Sequence, residues 1–313
     1  VSISSAISGS RWRSSLAPEP RPAWQEKPKA VTSLTKGSAL ILITAIAVVP
    51  FWVELSTSLS TNHQLLHNGA GFTLWPHPFS LQAYRAILQG GLITKAVWVS
   101  LGLTLIGTAA SLATTVLLAY ALSRPGVAGG KQVLMMCLFA FLFPPGLIPT
   151  YLVVDNLHLL NNYSSLVLPV LVNVFNLVVM RGFFQGIPSE LYEAARLDGA
   201  GEWTTLLRIV LPLSKPVIAV VGFFYAVTYW NQWFQGLFYL NDASQWPLGT
   251  LLRLLVTQGS NVDANGSTAA VINQNPIAEQ AATVVVAILP IVLVYPFAQR
   301  FFTKGVLTGA VKS

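Results

Sequence analysis

Charge is what this 313-residue sequence has least of. Asp, Glu, Lys and Arg make up 9% of it, against roughly 25% in a soluble globular domain. With 53% hydrophobic residues, a chain so poor in charge cannot cover its apolar surface in water, and the shortage points to a bilayer. There is one cysteine, Cys137, inside an apolar run. That excludes an intramolecular disulfide and reads as a small packing residue. No G-x-x-x-x-G-K-[ST] phosphate loop occurs, and the glycine-rich stretch 126–130 lacks the strand and helix that would make it one. Nucleotide hydrolysis is therefore not expected in this chain. His63 and His67 would share a face of a helix and His77 follows, but no cysteine or acid accompanies them, so no metal site is expected.

What is present is long apolar runs. A bilayer core needs about 20 predominantly apolar residues per helix. Six stretches qualify: Ser38–Leu59, Ala96–Ala121, Val133–Val154, Ser164–Phe184, Val217–Leu237 and Gln280–Phe301. Their length and lack of alternation exclude strands. The expected fold is an all-α membrane protein of six transmembrane helices. The first run is too long for a signal-peptide core and is read as a retained span. Residues 1–37, rich in Ser, Pro, Arg and Lys, read as a disordered tail, and 302–313 as a second tail.

The net charge of +7 would suggest nucleic acid if the basic residues were clustered. They sit instead at the ends of the apolar runs, so no nucleic-acid partner is expected. Summed over alternate compartments, 15 Lys and Arg lie on the side holding both termini and 3 on the other. The positive-inside rule makes both termini cytoplasmic. Two sizeable outer loops result, Ser60–Lys95 and Phe238–Glu279, with one cytoplasmic loop, 181–215. Within the second outer loop Pro247–Val256 suits a short helix at the outer mouth. Prolines 50, 144, 145, 149, 169, 290 and 296 interrupt most spans. They imply helices that face protein or a polar cavity there.

The cytoplasmic loop reads Ser189-Glu-Leu-Tyr-Glu-Ala-Ala-Arg-Leu-Asp-Gly-Ala-Gly-Glu-Trp203. Two short helices joined at a glycine are expected. Ser189 suits an N-cap, and Glu190 and Glu193 suit the positive end of the helix dipole. Ala194 and Ala195 leave one face narrow, and Gly199 supplies a left-handed terminus. Trp203, Leu206 and Leu207 would form an apolar stripe, with Pro212 opening the next span. On these grounds alone, a helix resting on lipid and a helix docking on another protein remain equal readings.

The spacing Glu193-Ala194-Ala195, three residues, Gly199, nine residues, Ile209, one residue, Leu211-Pro212 resembles the signature loop of binding-protein-dependent importer permeases. The resemblance runs from about Pro50 to the C-terminus. Phe72-Thr-Leu-Trp-Pro76 with Phe79-Ser-Leu-Gln-Ala-Tyr-Arg85 is similar to the first outer loop of the maltose-type carbohydrate permeases. Trp230-Asn231, Tyr239-Leu240 and Trp246-Pro-Leu248, with the tail Lys304-Gly305…Gly309–Lys312, look like the sub-branch for complex oligosaccharides, alginate-type acidic ones included. The resemblance implies a type I ABC importer permease fold in a bacterial inner or plasma membrane. Glu193, Ala194, Ala195, Asp198 and Gly199 would couple to the ATPase. It also implies a second related permease, two ATPase subunits that hold the ATP and Mg, an extracytoplasmic solute-binding protein and an oligosaccharide substrate. This chain itself would carry no cofactor.

Polar groups inside a span are costly and face the bundle interior. Asn173 and Asn176, three apart on one helix face near the midplane, suit either sugar hydroxyls or the partner permease. Near the outer end of the fifth span, Tyr229 and Asn231 divide between a sugar path and an aromatic belt, whereas Tyr225 and Trp233 are read as belt. Glu54, read as the only acid in a span, suits a rim position. An ion-coupled secondary transporter would need midplane charges and an internal repeat, and neither is evident. A permease for a polyol or glycerol-phosphate is the nearer rival. No arginine stands in a span to meet an acidic sugar.

Overall fold

The computed structural model describes residues 30–67, 73–89, 91–258 and 276–310. Most of the expected N-terminal tail, Phe72, much of the second outer loop and residues 311–313 therefore lie outside the described residues. Every regular element among the described residues is helical. Residues up to Phe51 form one unit and Trp52–Ser313 another.

Three helices are long and apolar enough to cross a membrane, and up to five spans result if each of two bent pairs counts as one. The first is α1, Ala30–Ser58, which begins eight residues ahead of the expected Ser38. Its Leu40–Ile43 and Ile46 are exposed, as lipid-facing residues would be. After the short α2 (Asn62–His67) and α3 (Gln82–Leu88) comes α4, Leu92–Ser123, the longest helix of the centre. Its buried face mixes small and hydroxylated residues, Ser100, Gly107, Ser111 and Thr115, with apolar ones such as Leu103 and Val116, while Trp98, Leu105 and Ile106 are exposed. Lipid is as apolar as leucine, so small and hydroxylated residues can serve helix contacts while large apolar ones are left facing out.

The expected span Val133–Val154 is split into α5 (Gly130–Leu142) and α6 (Leu147–Asn156). Pro144 and Pro145 cannot continue the ladder of backbone hydrogen bonds, and Gly146 takes a positive φ of 81°. The expected Ser164–Phe184 is also broken. The short α7 (Ser164–Val167) and a 3-10 turn, Leu168–Val170, meet α8 (Val174–Gln185) at 51°. Pro169 lies in that turn.

Four helices follow: α9 (Ser189–Leu197), α10 (Glu202–Thr205), α11 (Leu211–Leu213) and α12 (Lys215–Trp230). The run Glu202–Leu213, which includes a π-turn at Leu206–Val210, meets α12 at 83°. That angle turns the run sharply away from α12, within the stretch read from sequence as a cytoplasmic loop. The fifth span opens at Lys215 with Pro216 in its first turn, rather than at Pro212. It ends at Trp230 rather than Leu237, and α13 (Phe234–Tyr239) is separate. The amphipathic α14 (Leu248–Gln258) occupies the stretch read as an outer helix. Last comes α15, Pro276–Ala310, which keeps Pro290 and Pro296 inside one helix.

Glu54 is not the only acid in a span. The candidate span Ile277–Pro296 includes Glu279, which is buried. The central packing joins α4 to α12 and α8, and α12 to α15.

Candidate functional site

Two groups of residues carry chemistry: a polar seam inside the bundle and the loop between the fourth and fifth spans. The seam begins with a small-residue row on α4, Gly107, Ser111 and Thr115, spaced one turn apart. A Cβ on Gly107 would stand 2.7 Å from the Tyr229 ring, so glycine is what lets α12 lie this close. The Tyr229 hydroxyl shares a hydrogen bond of 2.7 Å with the Ser111 hydroxyl and donates a longer one, 3.5 Å, to the Val167 carbonyl. One turn along, the Tyr225 and Thr115 hydroxyls are 2.7 Å apart.

Tyr225 oxygen also accepts the Asn173 backbone N–H at 2.9 Å, and the Gln232 amide donates to the Leu166 carbonyl at 2.8 Å. These bonds land on both sides of the break between α7 and α8. A broken span frees backbone groups that lipid cannot satisfy, and the side chains of α12 and Gln232 satisfy them. Tyr225 is therefore no belt residue: it is buried and holds the break.

The break changes the reading of the two asparagines. Asn173 is not inside a helix but is the extended N-cap of α8, and its side-chain oxygen accepts the Asn176 N–H at 3.1 Å. Asn173 is exposed on the chain surface, whereas Asn176 is buried, at 3%. The expected shared face is lost. Tyr229 is fully buried within the chain and presents no surface to a passing molecule in this conformation. Asn231 is exposed at the end of α12, where its amide donates to the Val227 carbonyl at 2.8 Å. It lines a cavity of about 470 Å³ with Trp233, Arg253 and apolar residues of α15. The Arg253 guanidinium lies 5.2 Å from the centre of the Trp233 ring.

The loop folds as two helices joined at a glycine. Pro188, not Ser189, is the N-cap of α9, and no side chain caps it. Asp198 is the C-cap and Gly199 follows with φ 75°. The Ala200 N–H reaches the Ala195 carbonyl at 2.8 Å and the Gly199 N–H the Arg196 carbonyl at 3.0 Å. This paired closure is a Schellman motif, which requires the left-handed residue. Glu193, Ala194, Asp198 and Gly199 come out exposed, and Ala195 turns inward. The expected apolar stripe divides: Leu206 is buried, while Trp203 and Leu207 are 67% and 57% exposed. With Leu197 they leave a large apolar surface beside an acidic one.

Beside that surface lies a cluster that sequence reasoning missed. The Glu202 carboxylate accepts a 2.5 Å hydrogen bond from the Tyr120 hydroxyl and pairs with Arg124 at 3.3 Å and Arg196 at 3.5 Å. Arg124 also lies 4.0 Å from the centre of the Tyr192 ring. The Tyr120 bond, followed by the two arginines, holds the Glu202 carboxyl below its ordinary pKa, so it stays ionised. Burial raises the Tyr192 hydroxyl, with Arg124 opposing. The only sequence signal was Arg124 at a span end, where it counted as one more inside charge.

Residues 116–308 match the family described as binding-protein-dependent transport system inner membrane component. The chain is 42% identical over 276 residues to the polygalacturonan/rhamnogalacturonan transport system permease protein YtcP of Bacillus subtilis strain 168, covering 87% of this chain and 95% of that one. It is 28% identical to the arabinooligosaccharides transport system permease protein AraQ of Halalkalibacterium halodurans, covering 89% and 95%. A chain in the crystal structure of a bacterial ABC transporter involved in the import of the acidic polysaccharide alginate matches with a TM-score of 0.80. There the identity is 26%, over 89% of this chain and 100% of that one.

Proposed function

Because this chain belongs to the binding-protein-dependent inner-membrane transport components, and so is the permease rather than the ATPase of an ABC importer, we propose that it forms half of an oligosaccharide path. A second related permease supplies the other half. Two ATPase subunits hold the ATP and Mg, and an extracytoplasmic binding protein delivers the sugar. The permease spans the membrane six times with both termini cytoplasmic. In this reading α5 and α6 together make the third span, as α7 and α8 together make the fourth.

The observation that carries the coupling role is the loop from α9 to α10. It leaves Glu193, Ala194, Asp198, Gly199, Leu197 and Trp203 exposed together, and a surface so apolar next to charge is one that a protein covers. Ala195 packs behind it. The ATPase docks there, and its closure moves the helix.

The oligosaccharide cargo is supported by the cargoes of YtcP and AraQ and by the 0.80 match to the alginate importer chain. Asn173, exposed at the mid-span break, and Asn231, on the outer cavity, are the amides placed to meet sugar hydroxyls. The Asn176 N–H and the Tyr225 hydroxyl hold Asn173 in place. Reconstituting the permease pair with its ATPase and binding protein tests this. ATP hydrolysis should rise with galacturonan, rhamnogalacturonan or arabinan oligosaccharides. A response confined to polyols or glycerol-phosphate would overturn the cargo. Labelling of single cysteines in a Cys137→Ser background tests topology: Ser244→Cys should react from outside intact cells and Glu190→Cys should not.

A further inference from the structure

The loop is joined to the membrane helices by two covalent links, and each interrupts the α-helix. On one side α8 reaches α9 through Gly186-Ile187-Pro188. On the other, the π-turn at Leu206–Val210 and the 83° corner at Ser214 precede α12. Proline and π-turns are where helices kink, and neither link carries α4, so a movement of the loop has no covalent route to it through them.

The Glu202 cluster is a third connection and differs in kind. Glu202 is 82 residues from Tyr120 in sequence, so the contact fastens the loop to α4, a helix to which it has no covalent neighbour. Tyr120 and Arg124 lie one turn apart at the end of α4, facing the same carboxylate. Arg124 is gripped on two sides, by Glu202 and by the Tyr192 ring, and its side chain is only 11% exposed. Arg181, on α8, donates to the Leu122 carbonyl of the same helix end at 2.9 Å. The cluster thus gathers α4, α8, α9 and α10 at one point, with Glu202 and Arg196 exposed at the edge of the docking surface and Arg124 mostly covered beneath them.

We propose that Tyr120 and Arg124 are positioning residues that make α4 follow the coupling helix, so that ATPase closure is delivered directly to the central helix of the bundle. The inference rests on the reading of α9 and α10 as the ATPase-docking element. Movement of α9 changes the position of Tyr192, Arg196 and Glu202 together, and Arg124, held between them, carries α4 along. Without the guanidinium the loop still docks, but its motion no longer reaches α4 through this contact.

The test uses the complete reconstituted complex and reads the amount of sugar taken up per ATP hydrolysed. Arg124→Met keeps the length of the stem and removes the charge. It should lower uptake per ATP by roughly fivefold or more, the lower bound of typical inter-site coupling, with the ATPase still co-purifying. Tyr120→Phe should lower it less, and Arg124→Glu combined with Glu202→Arg should recover part of the loss. Normal uptake per ATP in Arg124→Met, or a loss explained wholly by a missing ATPase, would overturn the proposal. If Arg124→Met does not assemble, Tyr120→Phe decides by the same ratio. Gly199→Val, run in parallel, separates the two layers. If it docks and transports normally, the docking reading fails and takes the proposal with it. If it loses the ATPase while Arg124→Met stays fully coupled, only the proposal fails.

Discussion

The central helix α4 is held in two places, by opposite chemistry. In its middle every contact is neutral: Ser111 to Tyr229, Thr115 to Tyr225, and glycine against a ring. At its end the contact is ionic, through Tyr120 and Arg124 to Glu202. The difference follows depth. A charge at the centre of a bilayer costs about 2.5–3.5 kcal/mol on insertion scales, whereas a hydroxyl pair costs little and contributes about 0.6 kcal/mol on average. At the end of the span the Glu202 carboxylate is half exposed while Arg124 is 11% exposed, so the pair meets water on one side and escapes the midplane penalty. The middle is therefore suited to permanence and the end to adjustment.

The largest test of this contrast is Gly107→Leu. The added side chain meets a Tyr229 ring that is fully buried and has nowhere to retreat. We expect a loss of about 3 kcal/mol in thermal or denaturant unfolding of the purified complex. Unchanged stability would mean that the α4–α12 contact is loose. Next is Tyr225→Phe, which strands the Thr115 hydroxyl and the Asn173 N–H. It should cost about 2 kcal/mol, and adding Thr115→Val should recover part of that by removing one stranded group. No recovery would show that the Asn173 amide dominates.

Gly199→Ala, forced to keep φ near 75°, should cost about 1 kcal/mol. Its effect should appear in ATPase affinity and leave the membrane bundle's unfolding unmoved. Smallest is Arg196→Ala. Its pair with Glu202 is 3.5 Å long and the arginine is mostly exposed, so stability should change by no more than about 0.5 kcal/mol. A larger change would make the end of α4 as rigid as its middle.

Much of the loop was legible in the residues. Gly199 demanded a left-handed terminus and has one. Four of the six expected spans have helices that are long enough, alone or as a bent pair, and α12 gives the fifth a helix of 16 residues, because apolar length is a local property. The breaks were harder to read. Pro144-Pro145 gave warning of the split and Pro169 of the second break, but neither said that Asn173 leaves the helix, because the Tyr225 hydroxyl that stabilises its free N–H comes from another helix. Asn173 and Asn176 were placed on one face by assuming an unbroken helix, and a 51° bend removed that premise. Tyr225 was read as belt from composition alone, since aromatics near a span end look the same whether they face lipid or a hydroxyl on α4. Tyr120, Arg124 and Glu202 escaped notice for the same reason: a contact across 82 positions has no signature in any window of the chain.

The two grips on α4 lie on one uninterrupted helix, from Gly107 to Arg124 at its end. That fixes something about the gene. One codon inserted between Thr115 and Tyr120 would turn everything beyond it by about 100° and shift it about 1.5 Å. Tyr120 and Arg124 would then swing away from Glu202 while Ser111 stayed in place. Substitutions along this stretch can be absorbed one at a time, but a change of length cannot. Relatives that keep both grips must therefore align through it without a gap, whatever insertions their outer loops have collected.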